Sequence, residues 1–509
     1  MEPEQATRST SRRSGGCAWC RRQKVKCDEG HPLCARCLKA DRECLYPPRY
    51  QFRDENVKFG LSADQQPCLS AVSESVSFRT EMSVLSSKIE HGRLTQKLQL
   101  VRSRSTTPSS RKHSPLSLVV TTSPSDQNQL ASALVAALDT GSRGYQLRCL
   151  GNFICSVPSR IGHNPALDAA VACLLQAHSQ LMRDTPHSAF ASPTAGYHLP
   201  SSEYMRALRI LQEVIEHPVL GLSSETVCST ILMSYYEMMI TEKRGSQYIA
   251  HAGAATKLIV LRGPQNISSI FEQELWRTQR GHMIMQAFLR QEDCVLLRDG
   301  WRNLRLEMTG NFASSMVDRL LRIFSGLPTL FKQVRGIHAA PSTIGEVIRY
   351  GEDLQQELAF LSAEAEQSTS DTGPVFKPAT SQSDDVRFSS ALDFQSTEGA
   401  IFHNWYWAAT IMVEVCMMTI YQRHDESPWR MNLTANAAAR KICMSYEYAT
   451  ALRPLGAQFL QLPLICAHFV SDDEVKEWIV RKLNLLVAEL HIQYTSEYVQ
   501  GMANAILRL

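Results

Sequence analysis

Six cysteines close to one end of the chain, Cys17, Cys20, Cys27, Cys34, Cys37 and Cys44, follow the spacing C-x2-C-x6-C-x6-C-x2-C-x6-C. Each C-x2-C pair brings two thiolates within reach of one tetrahedral metal ion, and a third cysteine follows each pair six residues on. Six sulfurs cannot give two ions four private ligands each. They can serve two ions if two of the thiolates are shared, so the arithmetic favours a binuclear cluster. Soft thiolate donors and tetrahedral geometry select zinc over magnesium, calcium or copper(II).

Other uses of these cysteines fit less well. A disulfide framework belongs to an oxidising compartment, and the residues after Met1 are Glu2, Pro3, Glu4 and then polar and basic ones, with no apolar signal segment. Iron–sulfur ligation uses other spacings and normally four ligands per cluster. A zinc deaminase needs H-x-E before P-C-x-x-C, whereas Leu33 precedes Cys34-Ala-Arg-Cys37 and no H-x-E stands upstream.

Charge is concentrated in the same place. Residues 1–50 carry eleven Lys and Arg against six acids, a net +5, which leaves −2 for the remainder of a chain whose total is +3. Six thiolates and two zinc ions together subtract only two charges, so a loaded cluster stays positive where a polyanion would dock.

With its basic run and Pro32 two positions before the fourth cysteine, the segment Cys17-Ala-Trp-Cys20-Arg-Arg-Gln-Lys-Val-Lys-Cys27 through Cys34-Ala-Arg-Cys37 resembles the fungal Zn2Cys6 transcription factors. That resemblance implies two Zn2+ held by all six cysteines, with Cys17 and Cys34 as the bridging thiolates. It implies a short helix over Arg21, Arg22, Gln23, Lys24 and Lys26 that enters the major groove of double-stranded DNA. Lys24 matches the position that reads guanine edges, which suits a CGG-type half-site. Gln23 stands where many members carry a second basic residue. Arg21, Arg22, Lys26, Arg36 and Lys39 are expected on phosphates, where they set affinity and register. Arg8, Arg12 and Arg13 add a basic arm suited to nuclear import or to further phosphate contacts.

The expected organisation is a basic arm over 1–14, the zinc-cluster domain over 15–48, a partly disordered linker over 49–128 and an all-helical domain over 129–509. Leu45-Tyr46-Pro47-Pro48 leaves the cluster in extended form. Leu85 and Ile89 are out of phase with Leu94, Leu98 and Val101 across Gly92, too short for a coiled coil. Monomeric DNA binding, or a homodimer through the large domain, therefore remains open. Residues 102–128 are rich in Ser, Thr and Pro, and Thr107-Pro108, Ser114-Pro115 and Ser123-Pro124 offer proline-directed phosphorylation sites.

Beyond residue 129 the apolar periodicity is helical. Asn164-Pro165, Ser201 or Ser202, and Ser223 or Ser224 mark helix starts, and further runs cover about 247–262, 270–290, 344–363, 400–423, 433–451 and 473–495. Residues 367–399 read as a flexible insert, with Asp384, Asp385, Phe388, Leu392, Asp393 and Phe394 in an acidic–aromatic mixture of the kind activation segments use. Ser234-Tyr235-Tyr236-Glu237, His251-Ala252-Gly253-Ala254-Ala255 and Phe459-Leu460-Gln461-Leu462-Pro463-Leu464 resemble the second type of fungal-specific transcription factor domain.

No catalytic signature stands in this part: H-E-x-x-H, G-x-S-x-G, a phosphate loop and a dinucleotide turn are all missing, so no enzyme is expected. His163, His178, His251 and His403 are isolated and read as packing or surface residues. Cys68, Cys149, Cys155, Cys173, Cys228, Cys294, Cys416, Cys443 and Cys466 form no C-x2-C pair and read as small buried apolar residues. His403, Trp405, Tyr406, Trp407, Met412, Met417 and Met418 read either as one helix of a packed core or as the lining of an apolar effector pocket. No run reaches eighteen apolar residues, so no membrane span is expected. The resulting expectation is a nuclear, DNA-binding regulator of RNA polymerase II transcription that works with the transcription machinery. Its expected targets are the genes of a biosynthetic cluster. The alternative is a ligand-gated regulator of sterol, drug or stress genes.

Overall fold

A computed structural model describes residues 20, 22, 23, 25–27, 37, 39, 40, 124–183, 202–240, 246–304, 312–337, 343–372, 375–381, 387–422, 429–490 and 493–509. The chain divides into two units, Met1–Thr80 and Glu81–Leu509. The second is a mostly helical body.

Its helices in chain order are α1 (Pro124–Leu138), α2 (Pro165–Arg183), α3 (Ser202–Glu216), α4 (Ser224–Ile240), α5 (Ser246–Arg262), α6 (Ile270–Arg290), α7 (Phe312–Gly336) and α8 (Ile344–Thr372). After a hairpin of β1 (Phe376–Thr380) and β2 (Ser390–Phe394) come α9 (Thr397–Gln422), α10 (Trp429–Met444), α11 (Tyr446–Thr450), α12 (Gln461–Val470), α13 (Asp473–Leu486) and α14 (Ser496–Leu507). Helix α1 opens on Pro124, a residue that a first helical turn tolerates.

Polar residues set the starts. The Asn164 side chain accepts from the amides of Ala166 (2.9 Å) and Leu167 (3.3 Å), satisfying two donors that α2 would otherwise leave open. Its amide nitrogen reaches Thr226 Oγ1 at 3.1 Å, which ties the cap to α4. Ser269 and Glu272 close a capping box at α6. Asp472 and Thr495 cap α13 and α14 through the amides of Val475 and Tyr498.

Two helices carry the core. α4 is buried on nearly every face and lies between α2 and α5. α9 packs on α7, α8, α10 and α12, so its Met412, Met417 and Cys416 meet no water. A helix apolar all round is stable only inside such a cage of neighbours. Glu414 on α9 is nearly buried and is held by Gln355 Nε2 of α8 at 3.0 Å. Burial keeps this carboxyl above the usual range. Ion pairs fasten the outer contacts: Asp318 of α7 receives both Arg277 and Arg280 of α6, and Arg319 meets Glu364 of α8 at 2.5 Å.

Within 367–399, expected as a flexible insert, α8 continues to Thr372 and the two strands pair antiparallel, with Phe376 opposite Phe394 and Pro378 opposite Leu392. The side chains of β2 explain the order: Ala391, Leu392 and Phe394 are buried, Phe388 stacks edge-on to Trp478 at 4.9 Å, and Phe394 meets Tyr448 at 5.1 Å. These aromatics anchor the hairpin to the body instead of being displayed, as an activation segment would require. Asp384 and Asp385 lie outside the described residues, as do the linker, the coiled-coil candidates and the Ser/Thr-Pro sites up to Ser123.

Candidate metal centre and nucleic-acid interface

Three of the six expected ligands are among the described residues. Cys20 opens a helical turn that Val25 N closes on Cys20 O at 3.0 Å, and Cys27 follows, half-buried. Cys37 opens a second turn, closed by Ala40 N on Cys37 O at 3.2 Å. The second cysteine of each C-x2-C pair thus holds the same local place, at the head of a turn. Both thiols are fully buried. In a segment with so few apolar side chains, buried sulfurs are what a thiolate cluster produces, and the donor set fits soft zinc. Cys17, Cys34, Cys44, Arg21 and Lys24 lie outside the described residues.

The turns point cations outward. Arg22, Gln23 and Lys26, between the second and third cysteines, are exposed, and Lys39 is exposed on the second turn. Cysteines face inward and basic groups face solvent, which is the polarity a metal-ordered DNA-contacting element needs.

The helical body carries no comparable centre: among its described residues no three His, Cys, Asp or Glu side chains converge as a metal site. His178 Nε2 bonds Tyr145 O at 2.7 Å. His251 is buried, and desolvation pushes its ring down to about 4. His163 is exposed. Of the remaining cysteines, Cys173, Cys228, Cys294, Cys416, Cys443 and Cys466 are buried as expected, and burial pushes the Cys173 and Cys466 thiols up to about 12. Cys149 and Cys155 differ: both are exposed, because they sit on short 3₁₀ turns that present one side to solvent. The Tyr-Tyr-Glu run is packing: Tyr236 stacks on Tyr204 at 4.7 Å, the Tyr204 hydroxyl donates to Glu237, and the Tyr235 hydroxyl donates to Leu150 O at 2.8 Å.

One aromatic cluster does border open space. A cavity of about 590 Å3 lies among α8, β1, α9 and α10, and His403, Tyr406 and Trp407 line it with Phe376. The other members of that sequence run point elsewhere: Trp405 packs on Phe324 and donates to Phe459 O at 3.0 Å, while Met412 and Met417 belong to the core. Phe376, the fourth aromatic wall, comes from a strand that sequence periodicity missed. No helix among the described residues is long and apolar enough to cross a membrane.

Comparison with known proteins bears on the first unit. Residues 15–51 match the fungal Zn(2)-Cys(6) binuclear cluster domain, a domain that binds two zinc ions. Over 40 residues the chain is 50% identical to the transcription activator AMTR1 of Alternaria alternata, covering 8% of this chain and 5% of that protein. It is 51% identical over 37 residues to the transcription factor lfc1 of Flammulina velutipes, 7% of this chain and 13% of the relative. The adhesion and hyphal regulator 1 of Candida albicans is 35% identical over 69 residues, 12% of this chain and 11% of the relative. The similarity therefore spans only a small part of each relative. No solved structure matches the chain. Residues 15–51 are thus similar to the fungal Zn(2)-Cys(6) binuclear cluster domain, and the second unit is a mostly helical body.

Proposed function

We propose that the chain is a nuclear, zinc-dependent, sequence-specific DNA-binding regulator of RNA polymerase II transcription. The observation that carries this is the basic cluster segment itself: a complete six-cysteine pattern within residues 15–51, with exposed Arg22, Gln23, Lys26 and Lys39 on turns headed by buried Cys20 and Cys37. Cys17, Cys20, Cys27, Cys34, Cys37 and Cys44 hold two zinc ions, Cys17 and Cys34 shared between them. The metal supplies the folding energy that a segment of this size cannot draw from an apolar core, roughly 10–16 kcal/mol in small zinc peptides. Lys24 reads guanine edges of a CGG-type half-site, Gln23 lies beside it in the groove, and Arg21, Arg22 and Lys26 hold the flanking phosphates. The names of the relatives, an activator, a factor and a regulator, support this reading.

Two finer readings divide the helical body's role. In one it recruits the transcription machinery to a group of biosynthetic genes. In the other a small ligand gates the regulator, a reading favoured by the aromatic-lined cavity.

The test is DNA binding by the purified full chain before and after metal chelation, with chromatin occupancy of the wild type against Cys27→Ala. Chelation and the substitution are expected to abolish binding and to erase the occupancy peaks. Peaks confined to one contiguous set of biosynthetic genes would decide for the cluster reading. Zinc-free protein that binds DNA normally would sink the proposal.

A further inference from the structure

The cavity among α8, β1, α9 and α10 is built unevenly. One side is aromatic: Phe376 stands edge-on to His403 at 4.9 Å and to Trp407 at 5.7 Å, and Tyr406 stands one residue before Trp407 on α9. The opposite wall, from α10, is made of small side chains, Thr434, Ala437 and Ala438. Leu433 on the same wall is 63% exposed, a large apolar residue without cover at the mouth. Among the described lining residues the one cation is Lys441, its ammonium 5.7 Å from the Trp407 ring centre. The one carboxylate among them, Glu366, belongs to the opposite helix α8, where Ser362 Oγ donates to it at 3.5 Å.

We infer that this cavity binds one flat, aromatic small molecule bearing an anionic group, with its rings against Phe376, Tyr406 and Trp407 and its anion at Lys441. The volume of about 590 Å3 falls in the range of sites that enclose one drug-sized molecule. Aromatic walls suit a planar aromatic guest. An ammonium on a flexible stem serves as a point charge for a carboxylate or phenolate. Such a molecule is the effector of the ligand-gated reading above, on which this assignment rests.

The test is a fluorescence titration of the zinc-loaded full chain with 1-pyrenebutyrate, and with uncharged 1-pyrenebutanol as its partner probe. Both are expected to bind saturably, one per chain. Lys441→Gln is expected to weaken pyrenebutyrate about tenfold and to leave pyrenebutanol unchanged, the size of one charge-assisted contact. Ala437→Phe, on an exposed position of the lining, is expected to abolish both while helix content holds. If that variant fails to fold, Thr434→Phe on the same wall takes its place. No saturable binding, as when a segment of the chain itself fills the cavity, overturns the inference. So does binding that the filling variant leaves intact, and equal loss of both probes in Lys441→Gln overturns the anionic assignment. Loss of DNA binding is read separately by mobility shift: a chain that binds pyrenebutyrate but never DNA would end the regulator reading and leave the site standing.

Discussion

Replacing Arg22 with alanine is expected to weaken DNA binding by nearly the same factor for every sequence, and to do so more at low salt than at high. Arg22, Lys26 and Lys39 are exposed on the two cysteine-headed turns, Arg21 lies in the same basic run as Arg22, and Arg36 stands between Cys34 and Cys37. If these five neutralise five phosphates, log K falls with log salt at a slope of about −0.9 per contact, or about −4.5 in all. Between 50 and 200 mM salt the wild type would then lose roughly 500-fold in affinity, and Arg22→Ala, with four contacts, roughly 150-fold. Fluorescence anisotropy on a labelled duplex across a salt series gives both slopes, and a second duplex without the site gives the sequence-independent part. A phosphate contact removed lowers the slope by about 0.9 on both duplexes. An unchanged slope would place Arg22 off the DNA. A loss confined to the specific duplex would make it a base reader and reverse the roles assigned to Arg22 and Lys24.

Two further outcomes concern the helical body. A Cβ added at Gly144 would stand 1.6 Å from Arg453 O, a backbone atom that cannot swing aside, so Gly144→Ala is expected to cost about 1–3 kcal/mol or more. A denaturation midpoint equal to wild type would contradict that. Burial, with the Lys441 charge second, pushes the His403 ring down to about 4 from an ordinary 6.5. The unfolded chain therefore takes up this proton first, and stability falls as pH drops from about 6.5 toward 4, by about 3 kcal/mol at the most. His251 and His282, also pushed down to about 4 by burial, titrate in the same window, so the contribution is the difference between wild type and His403→Gln. Parallel stability–pH curves for the two proteins would refute it.

What the sequence disclosed follows from how local each feature is. Ligand spacing is local: the six-cysteine pattern is read by counting along the chain, and the turns closed by Val25 N on Cys20 O and Ala40 N on Cys37 O span only a few residues. Helix starts are local too, since Asn164, Ser269 and Asp472 act on amides two or three residues away. The hairpin was hidden because Pro378 interrupts β1, and four of the five β1 residues are exposed, which leaves no apolar alternation to detect. The cavity was half visible. The run from His403 to Met418 signalled an aromatic helix, but His403, Tyr406 and Trp407 line open space while Trp405, on the same turn, faces Phe324. Which side does which depends on Phe376 and on the small residues of α10, and neither is near α9 in sequence.

The two units hold together by different means, and their losses are therefore separable. The helical body buries α4 and α9 on almost every side, so its stability is expected to scale with apolar area, and among its described residues no three His, Cys, Asp or Glu side chains converge as a metal site. The cluster segment buries cysteines and exposes charge, so it has little to fold on except metal–sulfur bonds. A Cys27→Ala chain thus keeps its helical body while losing its hold on DNA, and a Gly144→Ala chain does the reverse at mild denaturant. The cavity, its aromatic walls and Lys441 all belong to the helical body. Ligand binding there is expected to survive chelation, and a protein stripped of zinc serves as the control that separates effector binding from DNA binding.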